Sequence, residues 1–465
     1  MADLDNIQAF IVRSSAKPLI ATLLFRLGDA EAARGFLRDW SPMVPRGTTS
    51  ERTGEPALHL LFSWTGLEKL LRGHSRLDVE QGRLAFEPFF VDPTQAPDDP
   101  AMAKQLGLLG PSAPEHWWDR RFTSKDIEVA VHASFDSADQ KARVLDDLRT
   151  SAARQGLEEL KLPTFENGAL EGCRPADGRL HFGYRDGITT PDVDWTDSGR
   201  PGAVDLREFV VGYPNDDYPT APQHPGVWQD FARDGSHVAL AWIYQDVAAF
   251  NGFLKDNGPK AAPLAAPDQA SEWLAAKLMG RWRDGTPLAK FPDGRPPHPV
   301  LDNDFGYADD PKGIKCPITA HIRVANGRDQ PLKFANTVRF PRGTPRLIRR
   351  GFSYGPALTQ AANDDVDRGV VGVFCFARVN EQFYTVLRWL QKTDFSDAFR
   401  SIPNGLNAQD GLFGNRGFEQ ANTSFHLPRA DGSSVSLQLR DFIRYKGVAV
   451  FFAPSMAGLA TLSAG

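Results

Sequence analysis

Two segments of the chain combine charged side chains with glycines in a way that could hold reactive groups. The first, His181–Trp195, reads HFGYRDGITTPDVDW and places Asp186 immediately before Gly187. Two glycines flanking a charged pair predict a tight turn whose backbone can closely approach another group. A positioned carboxylate can carry a proton in a reaction, but an aspartate in a surface turn can also simply cap the backbone.

The second segment, Lys315–Gly355, contains a histidine and a cluster of arginines. His321 lies in the sequence CPITAHIRVANGR, and Arg349 begins the sequence RRGFSYG. A histidine can bind a metal ion through a ring nitrogen, whereas a lone histidine among apolar neighbours is also typical of a satisfied core residue. Arginines offer fixed charge and hydrogen-bond donors, although an Arg-Arg-Gly step is also typical of a solvated turn. Taken singly, neither segment decides between these interpretations.

The elements that must position these segments form two similar series. Apolar runs predict buried strands, and apolar residues at helical spacing predict helices. Strand–helix–strand–strand is the more frequent order, which favours an α+β fold in two halves, each an antiparallel sheet with helices on one face. The predicted strands are Leu19–Leu27, Pro56–Phe62, Ile127–Phe135, His237–Tyr244, Arg346–Phe352, Gly369–Phe376 and Gly447–Ala453. The predicted helices are Ala30–Trp40, Thr65–Leu71, Ser137–Arg154, Gln245–Leu254, Ser271–Arg281 and Glu381–Gln391.

Three stretches rich in turn-forming residues interrupt these series. Asp92–Pro114 and Asp284–Lys315 are too polar and too broken to be regular elements, and long loops of this kind are more often functional. The stretch Trp195–Asp205 is the expected boundary between the two halves.

Composition excludes several classes of protein. The 465 residues include 53 Lys and Arg against 58 Asp and Glu, a net charge of −5 that argues against nucleic-acid binding. The three cysteines contain no CxxC pair, which argues against a structural zinc site or a disulfide scaffold. The N-terminus shows neither a signal peptide nor a twin-arginine pair, and the longest small or apolar run, Val370–Ala377, is too short to span a membrane. A soluble cytoplasmic protein is therefore expected.

Taken together and in order, the GYRDG, AHIR and RRGFSYG segments resemble those of dye-decolorizing (DyP-type) peroxidases. The resemblance continues over nearly the whole chain, for example at Arg207–Tyr213 (REFVVGY) and Asp410–Asn415. It implies an α+β fold of two ferredoxin-like halves, with antiparallel sheets, helices on the outer faces and haem between the halves. Residues 1–197 would carry GYRDG, and residues 198–465 would carry the proximal histidine and the distal arginine.

The resemblance also implies roles for individual residues. His321 matches the proximal iron ligand, Asp186 the distal acid–base group and Arg349 the distal arginine, with Arg346 and Arg350 as fallback candidates for the last. Asp410 matches the acidic partner of the proximal imidazole. The remaining implied haem contacts are the backbone of Gly187, Ile188 and Thr189, the haem-edge residues Asn326, Gly327 and Arg328, the distal arginine Arg349 itself, and the wall residues Phe374 and Phe376. Gly327 stands where this family usually has proline.

The function implied is a haem-dependent peroxidase with one haem b per chain. It would reduce hydrogen peroxide and oxidise bulky dyes and phenolic or aromatic donors, as a monomer or homodimer with no nucleic-acid or membrane partner. A second hypothesis is a haem-handling protein, either a carrier or an iron-releasing enzyme. A third hypothesis is a binding or scaffold protein that has the fold but holds no haem. The presence of both Asp186 and Arg349 favours the peroxidase, because storage of haem needs no distal acid–base group.

Overall fold

The computed structural model describes residues 2–214, 226–262, 266–330, 344–391, 408–418, 421 and 423–464. Its strands are β1 (Leu19–Arg26), β2 (Ala57–Phe62), β3 (Val129–Phe135), β4 (Glu158–Glu159), β5 (Leu170–Cys173), β6 (Val193–Asp194), β7 (Val204–Asp205), β8 (Ser236–Gln245), β9 (Ile348–Arg349), β10 (Phe352–Tyr354), β11 (Gly369–Phe376), β12 (Ser424–Pro428), β13 (Ser434–Gln438) and β14 (Ile443–Ala453).

The helices are α1 (Ala9–Val12), α2 (Ala30–Trp40), α3 (Trp64–Leu71), α4 (Val79–Ala85), α5 (Pro88–Val91), α6 (Pro100–Gln105), α7 (Ala138–Arg154), α8 (Val227–Ala232), α9 (Val247–Ala261), α10 (Pro267–Met279), α11 (His321–Ala325), α12 (Thr385–Gln391) and α13 (Met456–Ala464). A π-helical turn, Val379–Tyr384, precedes α12. Among the described residues, no helix is both long enough and apolar enough to cross a membrane.

Ten strands form one sheet that closes on itself. One group of four lies in the order β5-β1-β3-β2, and a second lies in the order β10-β11-β8-β14, with antiparallel pairing inside each group. Single residue pairs join the groups on both sides, Phe62 with Phe452 and Cys173 with Ser353. The short strands β4 and β9 pair with β1 and β11 at the margin of this ring.

The strands are apolar on both faces because both faces are covered. Every residue of β2 and β3 is buried, as are nine of the ten in β8. Such continuous apolar runs are typical of strands with packed side chains on each side. Helices such as α2 and α7 turn one apolar stripe towards the sheet, and Asp29 and Ser137 cap their first turns by accepting backbone N–H bonds.

The mixed architecture of antiparallel strands and helices is confirmed, and most element ends differ from the prediction by a few residues. The prediction that Asp92–Pro114 holds no regular element is wrong, because Asp99 caps α6 and Pro100 occupies its first turn. The helix predicted to end at Leu254 runs on to Ala261 as α9. The predicted strand Arg346–Phe352 is divided into β9 and β10, which lie in the same register on β11.

Candidate active site

The turn after β5 presents the carboxylate of Asp186. The Asp186 N–H donates to the carbonyl of Gly178 at 2.9 Å, which fixes the backbone on one side. Gly187 has a φ of +82°, in the left-handed region that glycine adopts without strain, and no atom lies within 4 Å of where its Cβ would be. The predicted tight turn is therefore confirmed, and one side of it is open to a bound group.

Arg349 lies against this carboxylate. Its Nη2 is 2.9 Å from Asp186 Oδ1, and about two-fifths of each side chain is exposed (41% and 40%). The charge of Arg349 lowers the pKa of Asp186 below its usual range, against the opposing effect of burial, and the Gly187 N–H acts in the same direction as the arginine. Asp186 is consequently ionised in mildly acidic solution.

The structure distinguishes Arg349 from the neighbouring arginines. The side chain of Arg350 is buried and donates to the carbonyls of Phe10 and Ile11 and to Ser14 Oγ. The backbone carbonyl of Arg346 accepts a bond from Gln382 at 2.7 Å. Of these three arginines, Arg349 is the one that forms an ion pair with Asp186 in the described part of the chain.

His321 begins helix α11, and its ring is held from one side. Its Nδ1 is 2.9 Å from Asp410 Oδ2, and the Asp410 side chain is fully buried. The other carboxylate oxygen accepts the backbone N–H groups of Leu412 and Phe413 at 2.8 and 2.7 Å. The Phe413 ring also stacks on the imidazole, with centroids 4.6 Å apart. A proton shared with Asp410 on Nδ1 leaves the lone pair of Nε2 available to a metal.

The distal and proximal groups lie near one another. His321 adds a smaller lowering effect on the pKa of Asp186, in the same direction as Arg349. The two segments singled out by sequence are 135 positions apart at these residues (321 − 186), so the fold alone brings them into electrostatic range.

The segment after α11 is braced by polar contacts. Asn326 ends the helix, and the Gly327 N–H donates to Thr344 Oγ1 at 3.0 Å. Arg328 has a φ of +52° and donates to the carbonyl of Asn303 at 2.6 Å, with its guanidinium 3.7 Å from the centroid of the Phe305 ring. The Nε of Arg328 is buried and has no hydrogen-bond partner among the described residues.

The two phenylalanines of β11 lie on one face of the strand. Phe374 is paired with Arg349 in the register of β9 and is partly exposed. Phe376 is fully buried and stacks on Phe383, with an interplanar angle of 2°. Phe374 is thus the phenylalanine beside Arg349, whereas Phe376 lies two residues further along β11 and is buried.

The donor set fits a haem group. A neutral imidazole nitrogen is an ordinary haem-iron ligand, and an unpaired buried arginine N–H is suited to a propionate. The open side of the Gly187 turn suits close approach of a flat macrocycle. The residues present therefore match the group that the sequence implied.

Sequence reasoning missed three residues that support this site. Asn303 accepts a bond from Arg281 at 2.5 Å and donates to the carbonyl of Ile188, so it ties the distal turn to the loop beside Arg328. Thr344 holds Gly327, and Phe413 covers the His321 ring. Asn303 and Phe413 fall in stretches that resemble the family, but nothing in their spacing indicates these contacts.

Comparison with known proteins finds relatives along nearly the whole chain. The chain is 27% identical to a dye-decolorizing peroxidase of Mycena epipterygia over 99% of its own length and 87% of that protein. It is 26% identical to a multifunctional dye peroxidase of an Amycolatopsis species, covering 99% of this chain and 96% of the other. The chain is similar to dye-decolorizing peroxidases over nearly its whole length. The predicted resemblance to this family is thereby confirmed, and with it the prediction of a peroxidase.

Solved structures share the fold of this chain. A DyP-type peroxidase of Auricularia auricula-judae matches with a TM-score of 0.78 at 23% identity over the full length of both chains. A dye-decolorizing peroxidase in complex with 2,6-dimethoxyphenol matches with a TM-score of 0.79 at 23% identity, again over both full lengths. No family model matches the chain.

Proposed function

We propose that the protein is a haem peroxidase that reduces hydrogen peroxide and oxidises bulky dyes and phenolic or other aromatic donors. The observation that carries the proposal is the Asp186–Arg349 pair lying in electrostatic range of His321, whose Nδ1 is held by Asp410. One haem b per chain would supply an iron that binds peroxide and exchanges electrons with it and with the donor. The complex of a solved relative with 2,6-dimethoxyphenol supports a phenolic donor.

The distal pair has the charges that cleavage of peroxide requires. Asp186 is placed to take a proton from one oxygen of hydrogen peroxide and to return it to the other. Its lowered pKa keeps it ionised, and therefore able to accept that proton, in mildly acidic solution. Arg349 cannot lose its charge, so it stabilises the negative charge that grows on the departing oxygen.

The proximal histidine and the residues proposed to contact haem complete the proposed site. His321 would bind iron through Nε2, and the Asp410 carboxylate would make the imidazole a stronger electron donor. Arg328 would pair with a propionate. The other proposed haem contacts are the backbone of Gly187, Ile188 and Thr189, the loop residues Asn326 and Gly327, the side chain of Arg349, and the wall residues Phe374 and Phe376.

The strand order supports two ferredoxin-like halves with haem between them. In each group of four strands, the fourth strand in sequence lies beside the first, then the third, then the second, an order that β5-β1-β3-β2 and the reversed β14-β8-β11-β10 share. The proposed halves are residues 1–197 and 198–465, with Asp186 on the first and His321 and Arg349 on the second. A cytoplasmic location and a monomeric or homodimeric state stay predictions.

A haem carrier or iron-releasing enzyme is the alternative, and the Asp186–Arg349 pair disfavours it. Substitutions at two positions separate the roles. His321→Ala should lose haem or hold it loosely, and an unchanged absorption spectrum at full haem content would reject His321 as the ligand. Asp186→Asn should keep haem but react with peroxide about 100-fold more slowly, and a wild-type rate would reject its acid–base role.

A further inference from the structure

The contact between Arg349 and Asp186 differs from the two-point fork that several arginine–aspartate pairs of this protein form, although single-point contacts also occur, as between Arg26 and Asp126 and between Arg154 and Asp39. Arg200 meets Asp192 with two nitrogens on two carboxylate oxygens, at 2.5 and 2.7 Å. Arg207 with Asp197, and Arg368 with Asp364, form the same two-point fork. Arg349 instead meets Asp186 through the single contact of Nη2 with Oδ1.

Thr189 is a second acceptor for this arginine. The same Nη2 donates a hydrogen bond to Thr189 Oγ1 at 3.0 Å. A terminal guanidinium nitrogen carries two N–H groups, so these two acceptors use it fully. Asp186 and Thr189 are three positions apart on either side of Gly187, so a single turn supplies both acceptors.

The backbone of Arg349 is fixed by strand pairing, whereas its side chain is partly exposed. Ile348 and Arg349 pair with β11, and the next residue, Arg350, is anchored to the backbone of α1. The Arg349 guanidinium itself is 41% exposed, and its side-chain contacts among the described residues are Asp186 and Thr189. Without the hydroxyl, charge attraction would favour the fork seen in the pairs of Arg200, Arg207 and Arg368.

We propose that the Thr189 hydroxyl is a positioning group that holds the Arg349–Asp186 pair out of the fork geometry. In this arrangement one carboxylate oxygen stays available to take a proton, and the remaining guanidinium N–H groups stay available to a reacting oxygen. A fork would occupy both carboxylate oxygens and weaken Asp186 as a base. The inference rests on the proposed function and adds to it a role for a side chain that had been expected to act through its backbone alone.

Three variants of the haem-loaded protein test this role. Thr189→Val keeps the shape and removes the acceptor, Thr189→Ser keeps the hydroxyl, and Thr190→Val is a matched control at the exposed neighbouring threonine. The first measurement is the crystal structure of each variant. We expect a two-point fork between Arg349 and Asp186 in Thr189→Val only, and a single-point contact in that variant would overturn the proposal.

The second measurement is the rate of cyanide binding against pH. Hydrogen cyanide must give its proton to a distal base when the anion binds iron, so the rate reports on Asp186 without any turnover. Thr189→Val should bind cyanide about fivefold more slowly, with the acidic limb of the profile shifted to lower pH, while Thr189→Ser and Thr190→Val stay near wild type. A slow Thr189→Ser, or an unshifted Thr189→Val, would overturn the proposal. Failure of the proposed function would show separately, as wild-type protein that does not react with peroxide.

Discussion

Arg349, the last residue of β9, and the next residue, Arg350, have opposite environments. Arg349 is two-fifths exposed and meets Asp186, whereas Arg350 is 4% exposed and is bound to the backbone of α1. The side chains of neighbouring residues in a strand point to opposite faces, so one arginine serves the site while the next serves the core. This alternation explains why an Arg-Arg step does not supply two equivalent catalytic groups.

At Arg349, we predict a change in pH dependence. Arg349→Leu removes the charge that lowers the pKa of Asp186, so the pKa of this carboxyl should rise. A carboxyl with a raised pKa stays protonated, and hence unable to accept a proton, up to a higher pH. The acidic limb of the peroxide reaction should therefore move to higher pH, and its plateau should fall about 100-fold. Stopped-flow rates across the acidic range measure both, and an unmoved limb would contradict the assignment of the pair.

At Asp410, we predict a change in the electronics of the proximal side. Asp410→Asn retains an oxygen that can accept the His321 Nδ1–H but removes the negative charge. The imidazole then donates less electron density, so the iron reduction potential should rise and the peroxide reaction should slow about tenfold. Spectroelectrochemical titration of the haem-loaded protein gives the potential. A potential equal to that of wild type would show that the carboxylate only orients the ring.

At the scale of elements, the π-helical turn Val379–Tyr384 supports the two phenylalanines that we propose as the wall of the site. Phe383, within Val379–Tyr384, packs on both Phe374 and Phe376 at 5.6 Å. The carboxylate of the buried Glu87 accepts the Val379 N–H at 2.5 Å and holds the start of this turn. Glu87, the residue immediately before α5, therefore supports the turn that packs against Phe374.

Glu87 should make folding stability depend on pH. Burial raises the pKa of Glu87 from 4.5 to about 7, against the lowering effects of the Val379 N–H and Arg378, while Glu381 adds to the rise. The folded protein binds more protons than the unfolded chain between these two values, so this group makes the free energy of unfolding decrease as pH rises from 4.5 to about 7. Glu87→Gln should remove about 3 kcal/mol of that dependence. Urea unfolding at several pH values measures it, and parallel curves for both proteins would contradict the prediction.

Local sequence patterns predicted most elements but not this turn. The central strands β1, β2, β3 and β8 are largely apolar and buried, and α2 and α7 have capping residues and helical spacing that need no knowledge of the rest of the chain. The π-helical turn depends on Glu87, 292 positions before Val379. Local patterns also could not predict two contacts of the site. Thr344 accepts the Gly327 N–H and Asn303 donates to the Ile188 carbonyl, and in each case the two residues are far apart in sequence. The resemblance identified Asp186, His321 and Arg349, but it did not indicate the groups that orient them.

For the whole molecule, the link between the two groups of strands is narrow. Single residue pairs join them at β2–β14 and at β5–β10. Additional bonds cross between them, since Gln8 donates to the carbonyls of Leu60 and Pro454 and Arg350 donates to α1. No short-range pattern in the sequence indicates this closure.

We predict that this link makes Arg350 a stability residue. Arg350→Met leaves the Phe10 and Ile11 carbonyls and the Ser14 hydroxyl without their donor, which should lower the free energy of unfolding by about 2 kcal/mol. Arg349→Met, at the exposed neighbour, is the matched control and should change stability by less than about 0.5 kcal/mol. Equal losses in the two variants, measured by urea unfolding, would contradict the division of roles.

The most direct test of the whole account is the absorption spectrum of the haem-loaded protein before and after one equivalent of hydrogen peroxide. We predict a Soret band that changes promptly with peroxide and returns when a phenolic or anthraquinone donor is added, because Asp186, Arg349 and His321 are held together around one site. A Soret band that peroxide leaves unchanged would contradict the peroxidase and favour a haem-handling protein with the same fold.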